Sequence, residues 1–197
     1  MLNINVLFID TNNISLGDIL KSVFLSDLDI ASLNKYKMEE TRKEKAVSLI
    51  LKNKYIREYH INEYGKPVSE NTCFNISHSK GVVVFIQSDK EIGIDIEKVR
   101  EVDPRLVDYI SSNEEKSYIN SDINFFEVWT NKESLTKNIG TGIKDKIKDI
   151  PGLPLNGKKI YKGKEFFVRT LTHKNYVISV SRESFEDYDI NVEEVVL

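Results

Sequence analysis

Along Ile92-Gly93-Ile94-Asp95-Ile96-Glu97 apolar residues occupy every second position. That period-two pattern predicts a strand with three isoleucines on one face and Gly93, Asp95 and Glu97 together on the other. Val6–Ile9 predicts an opening strand, and Val82–Ile86 a continuous apolar strand that turns at Asp89-Lys90 into the acid-bearing segment, forming a hairpin. Between them, Ala46, Leu49, Ile50 and Ile56 recur near helical spacing, which predicts a long helix from Glu39 to about Tyr59, ended well before Gly65-Lys66-Pro67.

Further on, Asp103-Pro104 places a capping residue before a proline, so a helix is expected from there to about Ile110, with another short one starting near Asn113. Phe125–Asn138 lacks proline and glycine and is closed by Gly140, which suits a helix ending on a left-handed residue. Gly142 opens a looser stretch. Phe166–Leu171 and Tyr176–Ser181 predict a second hairpin around His173-Lys174-Asn175. Both halves pair helices with antiparallel strands, so the fold class is α+β.

Two readings of the acids are open at this point. Asp95 and Glu97 lie two residues apart, roughly 6.6 Å along a strand, close enough to share one cation; they equally suit the wet face of a surface strand. Glu133 and Lys137 stand four apart on a helix with the acid first, a favourable surface pair or a third oxygen and a cation for the same site. Trp129 is expected to pack in the core near that helix. His78, following Ser77 at a strand end, is either a core histidine or a phosphate donor that binds better when protonated.

Composition narrows the partners. The chain of 197 residues carries a net charge of −3, which disfavours a general nucleic-acid binder. Cys73 is its only cysteine, so no internal disulfide can form; a small buried hydrophobe is the expected role and a reducing, cytoplasmic setting the expected location. The amino terminus lacks a basic region and no apolar run approaches the 18 or so residues of a membrane span, so secretion and insertion are disfavoured. Basic residues crowd Lys35–Arg57 and Lys144–Lys164. Solvated faces or docking rims for anions both explain such runs.

The two stretches Gly93-Ile94-Asp95-Ile96-Glu97 and Trp129–Lys137, with Gly65-Lys66-Pro67 and Phe74-Asn75-Ile76-Ser77-His78-Ser79, follow each other in an order that resembles the surfactin-synthetase-activating type of 4'-phosphopantetheinyl transferase. The likeness covers residues 65 to 142. It implies two similar α+β halves, residues 1–91 and 92–197, related by a pseudo-two-fold with the site in the cleft between them, in a protein acting as a monomer. It also implies transfer of 4'-phosphopantetheine from coenzyme A to a serine of an acyl, peptidyl or aryl carrier protein, releasing adenosine 3',5'-bisphosphate, with magnesium as cofactor and manganese as a substitute. Fatty-acid, polyketide and nonribosomal-peptide carriers are all compatible.

By residue, the resemblance implies Asp95, Glu97 and Glu133 as metal contacts, Glu133 also as general base, and Lys137 as a contact to the coenzyme phosphates. Lys132 would line the same site, Ser77 and His78 would belong to a coenzyme-binding loop, and Lys66 would border the adenine. One departure stands out: where the family commonly places an arginine for the 3'-phosphate, the ungapped position holds Lys45, with Arg42 and Lys43 nearby. Lysine lacks arginine's planar fork. The rival readings are a magnesium-dependent phosphotransferase using another diphosphate donor, a carrier-binding module without turnover, and a plain structural domain.

Overall fold

A computed structural model describes residues 2–142 and 146–197. The amino-terminal part runs β1 (Leu2–Asp10), α1 (Leu16–Ile19), α2 (Asp27–Leu33), α3 (Glu39–Tyr55), β2 (His60–Ile61), β3 (Pro67–Val68), β4 (Cys73–Ser79) and β5 (Val82–Ser88). Then follow β6 (Ile92–Lys98), α4 (Pro104–Ile110), α5 (Asn113–Tyr118), α6 (Asp122–Ile139), β7 (Gly157–Tyr161), β8 (Lys164–His173), β9 (Tyr176–Arg182) and β10 (Tyr188–Glu194). The expected cap and stop are found, Asp103 capping α4 and Gly140, at φ 75°, closing α6, whereas α6 begins three residues before the expected Phe125 and α3 ends at Tyr55, short of the expected Tyr59.

Two four-stranded sheets result, ordered β10-β1-β5-β4 and β6-β9-β8-β7. Alternate residues of β5 explain its unbroken apolar run: Val82, Val84 and Ile86 enter a core shared with Ile92, Ile94, Ile96 and Val180 of the other sheet, while Val83 and Phe85 meet Ala46, Val47 and Ile50 of α3. On the far side, Phe125, Phe126 and Leu135 of α6 pack on Phe166, Val168 and Val177. Each sheet thus has one face in the shared core and one under a long helix. In both, the first strand pairs antiparallel with the second strand of a later hairpin, giving β1-β5-β4 and β6-β9-β8. β10 crosses back to pair in parallel with β1, so the last strand completes the first sheet.

The expected hairpin between β5 and β6 does not form. Both edges of β5 are taken, by β1 and by β4, and β6 instead pairs with β9 in the second sheet. The turn at Lys80-Gly81 makes the real hairpin, β4–β5.

β4 and β6 nevertheless run side by side, joined by side chains rather than a backbone ladder. Asn75 Oδ1 accepts from the Ile94 amide at 3.3 Å, the Ser77 hydroxyl donates to Asp95 Oδ1 at 2.9 Å, and the Ser79 hydroxyl donates to Glu97 Oε2 at 2.8 Å. Because these three residues alternate on β4, one strand face serves as a polar seam between the sheets. Gly93 is needed on the face that also carries Asp95 and Glu97: a Cβ there would lie 2.1 Å from the Ser134 carbonyl oxygen and 2.5 Å from the Asn138 nitrogen, both backbone atoms of α6. The helix bearing Glu133 and Lys137 therefore rests directly on the strand bearing Asp95.

Candidate active site

Asp95, Glu97, Glu133 and Lys137 line one open cleft of about 810 Å³, together with Ser77, His78, Lys45 and Trp129. Asp95 is buried in the seam. Its Oδ1 accepts from Lys137 Nζ at 2.6 Å and from Ser77 Oγ, whose oxygen also accepts from Lys137 at 2.7 Å. Its Oδ2 is buried and has no hydrogen-bond partner. Burial raises the Asp95 carboxyl above its ordinary range despite Lys137. Glu133 is pushed up to about 7, first by burial and then by the charge of Asp95, with Lys137 opposing and Glu97 adding. Glu97 keeps a partner on each side, Ser79 and, at 2.9 Å, Arg100.

Three carboxylates thus share a wall with one lysine, and the wall is short of positive charge. Among the described residues no three acids, histidines or cysteines close around a point as a complete metal nest. A hard divalent ion that keeps waters and substrate oxygens in its shell needs no such nest, and the unpartnered Asp95 Oδ2 beside two further carboxylates suits it. The residues fit magnesium or manganese as a shared ion, with Lys137 being the cation that now pairs with Asp95.

The same cleft is also lined by basic residues, Lys35 and, on α3, Lys45 and Lys52, with Tyr36, Leu49 and Ile76 as apolar neighbours in its wall. Here Lys45 Nζ lies 2.8 Å from His78 Nε2, and the other ring nitrogen, Nδ1, lies 3.0 Å from Glu44 Oε2. Glu44 is buried, and its second oxygen accepts from the Gly81 amide at 2.8 Å. Burial pushes its carboxyl up, but the bonds from His78 and Gly81 and the charge of Lys45 outweigh that and leave it below the usual range.

Residues 91–192, more than half of the chain, match the model of the 4'-phosphopantetheinyl transferase superfamily. The chain belongs to that superfamily. It is similar to 4'-phosphopantetheinyl transferase gsp of Aneurinibacillus migulanus, 41% identical over 92 residues, or 42% of this chain and 38% of the relative. Similarity extends to 4'-phosphopantetheinyl transferase ffp of Bacillus subtilis, 32% identical over 100 residues, 46% of this chain and 45% of the relative. For 4'-phosphopantetheinyl transferase psf-1 of Bacillus pumilus the identity is 33% over 88 residues, 40% of this chain and 38% of the relative. Each match covers less than half of the relative's length.

Within this superfamily member, two expected placements need correction. Lys132 does not line the cleft. Successive helix residues turn by about 100°, so while Glu133 faces the cleft, Lys132 points away from it toward α4 and α5. There it is fully buried, donating to the Ile110 and Ile147 carbonyls at 2.8 and 3.0 Å and pairing with Glu115 at 2.7 Å. Lys159, expected on a solvated or docking face, is also buried, bound to Asn131 and to the Pro151 carbonyl at 2.7 Å. Lys144 and Asp145 of that basic run lie outside the described residues.

Lys66 sits at the margin: its ammonium is held by Glu91 at 2.7 Å and the Asn138 carbonyl at 2.8 Å, so its stem, not its charge, borders the smaller pocket beside Gly65 and Lys137. Arg42 bonds Asn34, Lys43 pairs with Glu39, and neither lines the cleft; of the three basic candidates only Lys45 does. Trp129, expected in the core, packs against the α6 cluster with one side and lines the cleft with the other. Cys73 is half-buried, its thiol raised first by burial and then by Glu91. His60 is exposed, and His173 pairs with Glu194. Glu44 and Arg100 lie outside the motifs read from the sequence, and Ser79, though inside one, had no role assigned there; its period-two spacing with Ser77 opposite Asp95 and Glu97 was the available signal.

Proposed function

We propose that the protein transfers 4'-phosphopantetheine from coenzyme A to a serine of an acyl, peptidyl or aryl carrier protein and releases adenosine 3',5'-bisphosphate. The observation that carries this reading is that one cleft is lined by Asp95, Glu97, Glu133 and Lys137 from β6 and α6 and by Lys35, Lys45, Lys52 and His78 from the first sheet's side. Such a cleft complements a ligand with a diphosphate at one end and a further phosphate at the other. Superfamily membership supports the same chemistry.

In this reading Asp95, Glu97 and Glu133 hold magnesium, or manganese in its place, which would neutralise charge building on the diphosphate oxygens. Lys137 adds a positive charge fixed by Ser77 and Asp95. The serine oxygen forms the new bond to the β-phosphorus, the bond from that phosphorus to the nucleotide-side oxygen breaks, and the serine proton passes to Glu133 directly or through a water. Lys45 and His78 hold the 3'-phosphate, and Trp129 walls the cleft.

The halves 1–91 and 92–197, with β10 returned to the first sheet, are inferred to be related by a pseudo-two-fold; their shared strand order supports that. A monomer in the reducing cytoplasm belongs to the same proposal, supported by the single half-buried thiol. Among the described residues no helix is long and apolar enough to cross a membrane.

The test is incubation with coenzyme A, magnesium and several apo carrier proteins. Gain of the mass of one phosphopantetheine group on a carrier, lost in Asp95→Asn and Glu133→Gln proteins that still fold, is expected. No mass gain on fatty-acid, polyketide or peptide carriers would overturn the proposal.

A further inference from the structure

A glutamate has one more rotatable bond than an aspartate, so Glu97, half-buried near the end of β6, stays aimed at one point only if something holds it. Two donors do so. The Ser79 hydroxyl donates to Glu97 Oε2 at 2.8 Å, and Arg100 Nη1 donates to the same oxygen at 2.9 Å. Among the described residues both side-chain donors to Glu97 share Oε2, which leaves Oε1 as the oxygen available to an ion in the cleft that Glu97 lines. Asp95 repeats the arrangement one pleat earlier: Ser77 and Lys137 share Oδ1, and the buried Oδ2 has no hydrogen-bond partner. On each acid a serine of β4 and a cation occupy one oxygen and leave the other.

Ser79 is itself fixed. It is buried, and its oxygen accepts from the Lys98 amide at 3.3 Å, so its own hydrogen is the one directed at Glu97. Lys80 at φ 48° and Gly81 at φ 81° then make the tight turn into β5. That turn is tied to other parts of the chain: Tyr176 of β9 donates to the Lys80 carbonyl at 3.0 Å, the Thr11 hydroxyl donates to the Gly81 carbonyl at 2.8 Å, and Glu44 of α3 accepts from the Gly81 amide at 2.8 Å. The second donor, Arg100, is exposed, resting on the Lys98 carbonyl at 3.0 Å and over the Phe126 ring at 4.8 Å. Its bond orients Glu97, but its charge repels a cation nearby, so the two effects oppose each other. The neutral Ser79 hydroxyl only orients.

We propose that Ser79 is a positioning residue for the divalent ion, its hydroxyl holding Glu97 Oε2 so that Oε1 is presented to an ion shared with Asp95 and Glu133. This rests on the magnesium part of the reading above and extends it to a side chain that is not among those lining the cleft. Without that hydroxyl, Oε2 is left to Arg100 alone, and the carboxylate follows a guanidinium at the surface. Loss of an outer hydrogen-bond partner of a metal ligand costs about ten- to a hundredfold in metal affinity. Because the ligand itself survives, the lower part of that range applies here.

The experiment is manganese titration followed by the electron paramagnetic resonance of the free ion, with one equivalent of coenzyme A and no carrier present. Ser79→Ala is expected to weaken manganese binding about tenfold, while Ser79→Thr, which keeps the hydroxyl, binds it as the wild type does. Coenzyme A affinity measured without metal is expected to be the same in all three proteins. The decisive comparison is made in a Glu97→Ala background, where Ser79→Ala should have no further effect because the group through which it acts is gone. Wild-type manganese affinity in Ser79→Ala, Ser79→Thr as weak as Ser79→Ala, a metal-free coenzyme affinity reduced to the same degree, or a loss that persists without Glu97 would each overturn the proposal while leaving the coenzyme reading intact. Manganese bound equally well by the wild type and by Glu97→Ala would overturn the metal assignment with it.

Discussion

Gly93→Ala should uncouple the two elements that build the acidic end of the cleft. The glycine is opposite Ser181, whose hydroxyl donates to the Ser134 carbonyl at 2.8 Å, and the added methyl would meet that same carbonyl at 2.1 Å. Both close atoms belong to the α6 backbone, so no side-chain rotation relieves the clash. Reaching even the 3.0 Å that real Cβ atoms respect requires strand and helix to part by about 0.9 Å. The 2.6 Å bond between Lys137 and Asp95 spans the same interface and would stretch toward the limit of a hydrogen bond. Overpacking of this kind costs about 1–3 kcal/mol, which for a chain of this size lowers Tm by roughly 2–12 °C. A misplacement of about 1 Å at reacting groups costs on the order of a hundredfold in rate. Thermal unfolding followed by initial rates of carrier modification measures both, with Gly17→Ala as a control, since a methyl there meets only Ser15 Oγ at 3.8 Å. If Gly93→Ala melts within about 1 °C of wild type and retains at least about half its rate, the close contact between β6 and α6 does not set the site.

Neighbouring lysines on α6 should separate stability from activity. Lys132→Met leaves Glu115 buried without its cation and should cost about 3–5 kcal/mol in denaturant unfolding with no group lost from the cleft; Lys137→Met leaves the buried Asp95 without its cation, so it should lower Tm as well, and should in addition lower the transfer rate by roughly a hundredfold or more. Lys159 gives a pH signature. Burial pushes it down to about 7, with Glu115 opposing and Lys132 adding, against an ordinary 10.5 in the unfolded chain. Below 7 both states carry the proton and the burial cost is felt in full; between 7 and 10.5 the unfolded chain holds more protons, so stability rises with pH, by up to about 1.4 kcal/mol per unit. Lys159→Met should lose that rise, so its stability relative to wild type should be greatest at the acidic side of the window; parallel profiles for the two proteins across it would refute this.

What the sequence made legible followed from local pattern. The alternation at Ile92–Glu97, the proline after Asp103 and the glycine after α6 each act within a few residues, and each strand, cap or stop formed where expected. Long-range choices were not local. Nothing between Ser88 and Ile92 announces that both edges of β5 are already occupied, and the hairpin reading failed there. The parallel pairing of β10 with β1 joins residues nearly a whole chain apart. At the cleft, adjacency misled for Lys132, because one step along a helix changes the face; and Glu44 was invisible because its role depends on His78 arriving from another element. The residues that could be read were those whose chemistry sits in one short block.

The account's central claim is that Asp95 of β6 and Glu133 of α6 act on one divalent ion at the diphosphate end of the cleft. A crystal structure of the protein with coenzyme A and manganese, located by its anomalous signal, tests that most directly. The account predicts one manganese within about 2.0–2.3 Å of an Asp95 oxygen and close to Glu97 and Glu133, sharing a diphosphate oxygen, with Lys137 moved off Asp95 onto phosphate. Manganese bound elsewhere, or coenzyme A seated with Lys137 still closed on Asp95 and no ion between them, would contradict it.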